Sequence, residues 1–164
     1  MKYVFYILLF LMSTQAIYSQ QKVIIPDSIM SWKYAPEEYR PGKVPHYKKA
    51  AVDPICIGLA EGHKRKLIRS FNDLLKMDVR QSGYIKIYFL ILESGEIKTT
   101  RIGTKDIALK EDDYHALSAE VNSFEKCVPA RHEGAIVNSE GIIYFTIKRG
   151  FISDYNLKRI TTSE

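Results

Sequence analysis

The stretch Gly83–Ile97 reads GYIKIYFLILESGEI. Its first ten residues alternate, which is the period of a half-buried strand. One face carries Ile85, Ile87, Phe89 and Ile91, and the other carries Tyr84, Lys86, Tyr88 and Leu90. Glu93-Ser94-Gly95-Glu96 then makes a turn, with Gly95 free to take a positive φ. Ile97–Ile102 returns as a second strand, Gly103 helps to end it, and residues 104–110 form a loop. A lone hairpin is not stable in water, so its apolar face needs a cover.

Two amphipathic helices supply that cover. In RKLIRSFNDLLKMDV (residues 65–79), Leu67, Ile68, Phe71, Leu74 and Leu75 recur three or four apart and form one apolar stripe. Basic residues at its start oppose the helix dipole, a sign that they serve another contact. A second helix begins near Glu111–Asp113, where three acids suit the dipole, and its stripe is Tyr114, Leu117, Val121 and Phe124. Pro129 forbids its continuation. HEGAIVNSEG (132–141) reads as a loop or bent extended segment, and Gly141–Lys148 alternates again as a last strand. The order helix, strand, strand, helix, strand predicts an α+β domain: a three-stranded antiparallel sheet with two helices packed on one face. About 90 residues suffice for a small core.

The flanks differ in character. Residues 1–20 have one charge, Lys2, then an apolar run and small polar residues, the order of a secretory signal peptide. The run is about ten residues, and a membrane span needs about twenty. Cleavage would leave a periplasmic or secreted protein, and retention an inner-membrane anchor. Residues 21–59 hold Pro26, Pro36, Pro41 and Pro45 with Trp32, Tyr34, Tyr39 and Tyr47 between them. They predict an extended arm, packed in part on the domain or a partner. Asp53-Pro54 signals a short helix at its end, running to Gly62. Residues 60–150 are the domain, and 151–164 have no periodicity and read as a flexible tail.

Without the first twenty residues, 23 basic and 19 acidic side chains remain, a net +4. These charges are scattered, which argues against nucleic acid as a partner. Cys56 and Cys127 are an even pair in an exported chain. They are open to a disulfide or to two buried thiols.

The words SGYIKIYFLILESGEIKTTRIG, EVNSFEKCVPARHEGAIV and GIIYFTIKRG, in this order, resemble the TonB C-terminal domain over about residues 60–150. Gly83, Gly95, Pro129, Ala130, Gly134 and Gly141–Ile147 fill the places of the family's glycines, turn, proline step and final strand. Cys127 stands where members often have an aromatic. The resemblance implies binding of an extended peptide by strand addition at the last strand, the peptide belonging to a TonB-dependent outer-membrane transporter.

An argument from charge points to the same strand. Lysines guard sheet edges against wrong pairing. The second strand carries Lys98 and Arg101, whereas Ile142 to Ile147 carry no charge. The expected partner-binding residues are therefore Gly141, Ile142, Ile143, Tyr144, Phe145, Thr146 and Ile147, flanked by Tyr88. The outward Tyr84, Tyr88 and Tyr144 serve either as a binding strip or as a shelf for Trp32 and Tyr34.

No catalytic constellation, metal-ligand spacing or cofactor motif stands out. His46, His63, His115 and His132 are dispersed. The leading expectation is a non-catalytic envelope protein that needs no cofactor and binds a protein or peptide strand. Its rivals are an anchored energy transducer and a cell-wall-associated structural protein.

Overall fold

The computed structural model describes residues 26–34, 44–59 and 61–160. The proposed signal segment, residues 1–20, lies outside them. The protein is α+β, as the sequence predicts, but the sheet has five strands. In chain order they are β1 (Ser31–Tyr34), β2 (Gly83–Ile91), β3 (Ile97–Lys105), β6 (Ser139–Lys148) and β7 (Phe151–Lys158), with a separate small hairpin of β4 (Ala130–His132) and β5 (Ala135–Val137). The helices are α1 (Lys64–Leu74) and α2 (Glu111–Asn122). Strands lie in the order β1-β3-β2-β6-β7, and every neighbouring pair is antiparallel. Among the described residues no helix is long and apolar enough to cross a membrane.

The core forms where the apolar stripes meet. Ile85, Ile87, Phe89 and Ile91 of β2 and Ile143, Phe145 and Ile147 of β6 are buried with Phe71, Leu75, Leu117 and Val121. The Phe71 ring centroid lies 4.7 Å from that of Phe145 and 6.1 Å from that of Phe124. Gly95, at φ +82°, closes the β2–β3 turn with its N–H on the Leu92 carbonyl. Lys64 at the start of α1 pairs with Asp154 of β7 at 2.8 Å, so one of the basic residues there holds the helix to the sheet.

Of the residues expected to form a flexible tail, Phe151–Lys158 instead form β7, and residues 161–164 lie outside the described residues. Arg149 and Gly150, at φ +52° and +76°, make a two-residue turn with left-handed geometry at both positions, which suits the twist of a hairpin. Ser153 is then passed over in the pairing, because Ile147 faces Ile152 while Thr146 faces Asp154. That bulge shifts the alternation and places Ile152 and Tyr155 in the core.

Gly103 does not end β3, which runs on to Lys105. Residues 132–141 take the bent, extended form of the two expected: β4 and β5 turn at Glu133-Gly134, again with positive φ at both residues, and β6 begins at Ser139. The helix expected from Asp53 is replaced by extended chain and two short 3-10 turns, Ile57–Leu59 and Glu61–His63. Ile55 exchanges backbone hydrogen bonds with Val128 at 3.0 and 2.8 Å, which holds it extended. Cys56 and Cys127 form a disulfide beside this bridge, their Cα atoms 4.4 Å apart. The arm from 44 to 59 is thereby fastened along β4 and β6, with Tyr47 bonded to the backbone of Asn138 and Glu140.

Candidate functional site: a sheet edge filled by the arm

The expected open edge is closed. Gly141, Ile142, Ile143, Tyr144, Phe145, Thr146 and Ile147 all lie in β6, between β2 on one side and β7 on the other. A strand flanked on both sides has no free ladder to offer, so recognition at this edge is corrected. Ile143, Phe145 and Ile147 are core residues. Gly141 lies under Phe89, where an added Cβ would come within 2.6 Å of two ring carbons.

The sheet ends in β1 on one side and β7 on the other, and β3 is exposed where β1 leaves it uncovered. The β3 and β7 edges are each capped by an asparagine from a helix. Asn72 of α1 accepts from the Ile152 N–H at 2.7 Å and donates to the Ile152 carbonyl at 3.1 Å, which satisfies both backbone groups of that β7 residue. Asp154 accepts from the Tyr155 N–H at 2.9 Å. On the opposite edge, Asn122 of α2 accepts from the Thr99 N–H at 2.6 Å. Arg101 to Thr104 of β3 are paired with β1 from the arm. Side-chain caps close an edge as charges and bulges do.

On the sheet's outer face the arm is anchored by Asp27 and Trp32, while Lys33 pairs with Glu111 of α2 and lies 4.7 Å from the Tyr114 ring centroid. One cross-strand row on the sheet's outer face runs Trp32, Gly103, Lys86, Tyr144, Asn156, and the next runs Arg101, Tyr88, Ile142, Lys158. Gly103 leaves the first row bare, and the Trp32 ring fills that space. The Arg101 guanidinium lies 4.3 Å from the Trp32 ring centroid and 3.9 Å from that of Tyr88. The outward tyrosines thus act in part as the shelf foreseen for Trp32, whose ring is 5.6 Å from that of Tyr88.

Asp27, in the short turn Asp27–Ile29, reaches into the second row. Its carboxylate accepts from Lys86 Nζ, from Tyr88 Oη at 2.9 and 3.1 Å, and from Arg101 Nη2 at 2.9 Å. The same turn offers the Asp27 carbonyl to the Trp32 Nε1–H at 3.1 Å, so the two anchors are tied to each other. Burial works against ionisation of Asp27, but the Lys86 and Tyr88 hydrogen bonds and the charges of Lys86 and Arg101 outweigh it and hold the carboxyl below its ordinary range. Burial likewise works against the Lys86 ammonium, but the Asp27, Tyr88 and Tyr144 hydrogen bonds together outweigh it and raise its pKa. Burial also raises the Tyr88 phenol. Lys86 is only 3% exposed and sits 4.9 Å from the ring centroids of both Tyr88 and Tyr144. The arrangement is a carboxylate receptor of two cations and a phenol beside an aromatic slot.

Of the residues singled out from sequence, Tyr88 and Tyr144 meet at this site around Lys86. Asp27, Lys86, Arg101 and Gly103 were missed. The lysine inside YIKIY was the available signal, since it stands between two tyrosines on one side of an otherwise apolar strand. The four histidines lie apart: His46 bonds the Val44 carbonyl, His63 the Ile57 carbonyl, His115 faces Glu111, and His132 stacks on Tyr47. Among the described residues no group of three or more His, Cys, Asp or Glu side chains could hold a metal ion. No family model matches the chain, nor does any curated protein or solved structure.

Proposed function

We propose that the chain is a non-catalytic binding protein of the cell envelope, exported by its first twenty residues, whose TonB C-terminal-like domain takes an extended segment of a protein partner by strand addition at β3. A TonB-dependent outer-membrane transporter is the partner class that the resemblance implies. One observation carries the reading: the arm already lies on β3 as an added antiparallel strand. Main-chain pairing with alternate side chains in fixed sites is how sheet edges recognise peptides. The occupant is four residues long, against nine for β3 and nine for β2, and it is held by Asp27, Trp32 and the Lys33–Glu111 pair. Short, edge-bound segments open at lower free energy than central strands. The arm therefore keeps the edge covered until a partner strand replaces it.

A lock tests this. Ser31 and Thr104 are register partners across β1 and β3, so Ser31→Cys with Thr104→Cys should fasten the arm. A photo-crosslinking residue at Lys105 should give a protein adduct in intact cells with the unlocked chain and lose it with the locked chain. Identical adducts from both chains would overturn the reading.

A further inference from the structure

We propose that the β3 edge selects for an acidic and aromatic segment: a carboxylate side chain followed five residues later by tryptophan, the spacing of Asp27 and Trp32. This rests on the reading of β3 as an acceptor edge and names the chemistry it accepts.

The sheet side of the site requires a carboxylate. Lys86 and Arg101 both approach the Tyr88 ring, and Lys86 is nearly sealed from water. A buried cation without a counter-charge is strongly unfavourable. Among the described residues Asp27, on the arm, is the ion-pair partner of both. The strands themselves thus present two cations and the Tyr88 hydroxyl, and leave the anion to the occupant. Arg101 and the phenol converge on the two carboxylate oxygens, which favours a planar acceptor over a single hydroxyl or amide.

The aromatic requirement has a separate origin. An added Cβ on Gly103 would lie 2.7 Å from Cε3 and Cζ3 of Trp32, so the bare backbone accommodates a flat ring. Arg101 stacks against that ring, a favourable contact for a π face. The indole N–H then returns to the carbonyl of the acidic residue, which fixes the five-residue spacing within the segment itself. Phenylalanine lacks that donor.

The test uses the full chain with Asp27→Ala and Trp32→Ala, and synthetic peptides of sequence PDSIMSWKY, residues 26–34. Trp32 is the only tryptophan of the chain, so in this variant the peptide's indole is the sole tryptophan signal. The peptide should bind saturably with a blue shift. Its Asp→Asn and Trp→Phe forms should bind at least about tenfold weaker, and chain with its own arm intact should bind a labelled peptide at least about tenfold weaker. Equal binding of the Asp and Asn peptides would overturn the acidic selectivity and leave β3 as an unselective acceptor. Failure of every peptide to bind a variant that keeps its far-ultraviolet dichroism would overturn the acceptor reading itself. Asp27→Asn with Trp32→Ala, which removes the arm's charge but keeps a hydrogen-bonding side chain at 27, repeats the comparison should the first double variant lose its fold. Dimers of the wild-type chain formed by arm exchange would replace the foreign segment with a second copy and overturn the proposal.

Discussion

Trp32 occupies the space that any side chain at position 103 would need: an ideal Cβ there falls 2.7 Å from two indole carbons. Gly103 is therefore a sheet residue selected by its lack of substituent, and the indole is its missing side chain. Gly103→Val should push the arm off before it disturbs the core, because the strain of overpacking, about 1–3 kcal/mol, is relieved by releasing four edge residues. The single tryptophan reports this directly. Its emission should move to the red while the far-ultraviolet spectrum stays close to that of the wild type.

Acid should release the same contact. The carboxyl of Asp27 is depressed on folding, so its stabilisation is complete above the unfolded value, about 3.9, and is lost as pH falls through the lower folded value. Lys86 is raised, so its contribution is complete below the unfolded lysine value, about 10.4, and is lost as pH rises through the higher folded value. Arm docking should hold from roughly pH 4 to pH 10 and weaken beyond either end. A tryptophan-emission titration checks this. Asp27→Asn should abolish the acid step and weaken docking already at neutral pH, by about 1–3 kcal/mol, because Lys86 then lacks its counter-charge.

Proline at position 146 distinguishes a central strand from an edge. Thr146 pairs with Tyr84 on one side and Asp154 on the other. Thr146→Pro removes a ladder donor from a central strand and leaves its acceptor unpaired, which should cost at least about 1–3 kcal/mol and lower stability globally, as Phe145→Asp should through the core. The equivalent change on β1, Lys33→Pro, should leave the melting temperature within a few degrees. Thermal unfolding of the three variants gives the comparison.

The disulfide joins the arm at Cys56 to the chain at Cys127, 71 residues away. For a loop of that length the chain-entropy treatment gives about 4 kcal/mol. Replacing both cysteines by serine should lower unfolding free energy by about that amount in a denaturant titration. It should leave Trp32 emission little changed at neutral pH, since β1 is held by contacts of its own.

Much of this architecture was legible in the residues. The alternation of Gly83–Ile91, the stripe Phe71 to Leu75 and the stripe Leu117 to Val121 marked the elements and the buried faces that the structure brings together. The outer strands were not legible, for different reasons. In β7 the bulge at Ser153 breaks the period of two, and its turn uses Arg149 at positive φ, where asparagine or aspartate is the usual signal. In β1 only four residues pair, with proline-rich sequence around them, so local pattern had too little to work on. The edge argument failed with β7: a strand free of charge proved central, because it was never exposed. Asp27 and Lys86 are 59 residues apart, and their meeting is a tertiary fact that no local pattern carries.

The most direct test of the central claim is residue-resolved amide hydrogen exchange of the wild-type chain at neutral pH. If the arm is a removable cover, the amides of Arg101 to Thr104 bonded to β1 should exchange through a local opening. Its free energy should lie several kcal/mol below that of the β2 and β6 amides, and its denaturant dependence should be small. Exchange of the β1–β3 amides only through global unfolding, with the same free energy and slope as β6, would contradict the account.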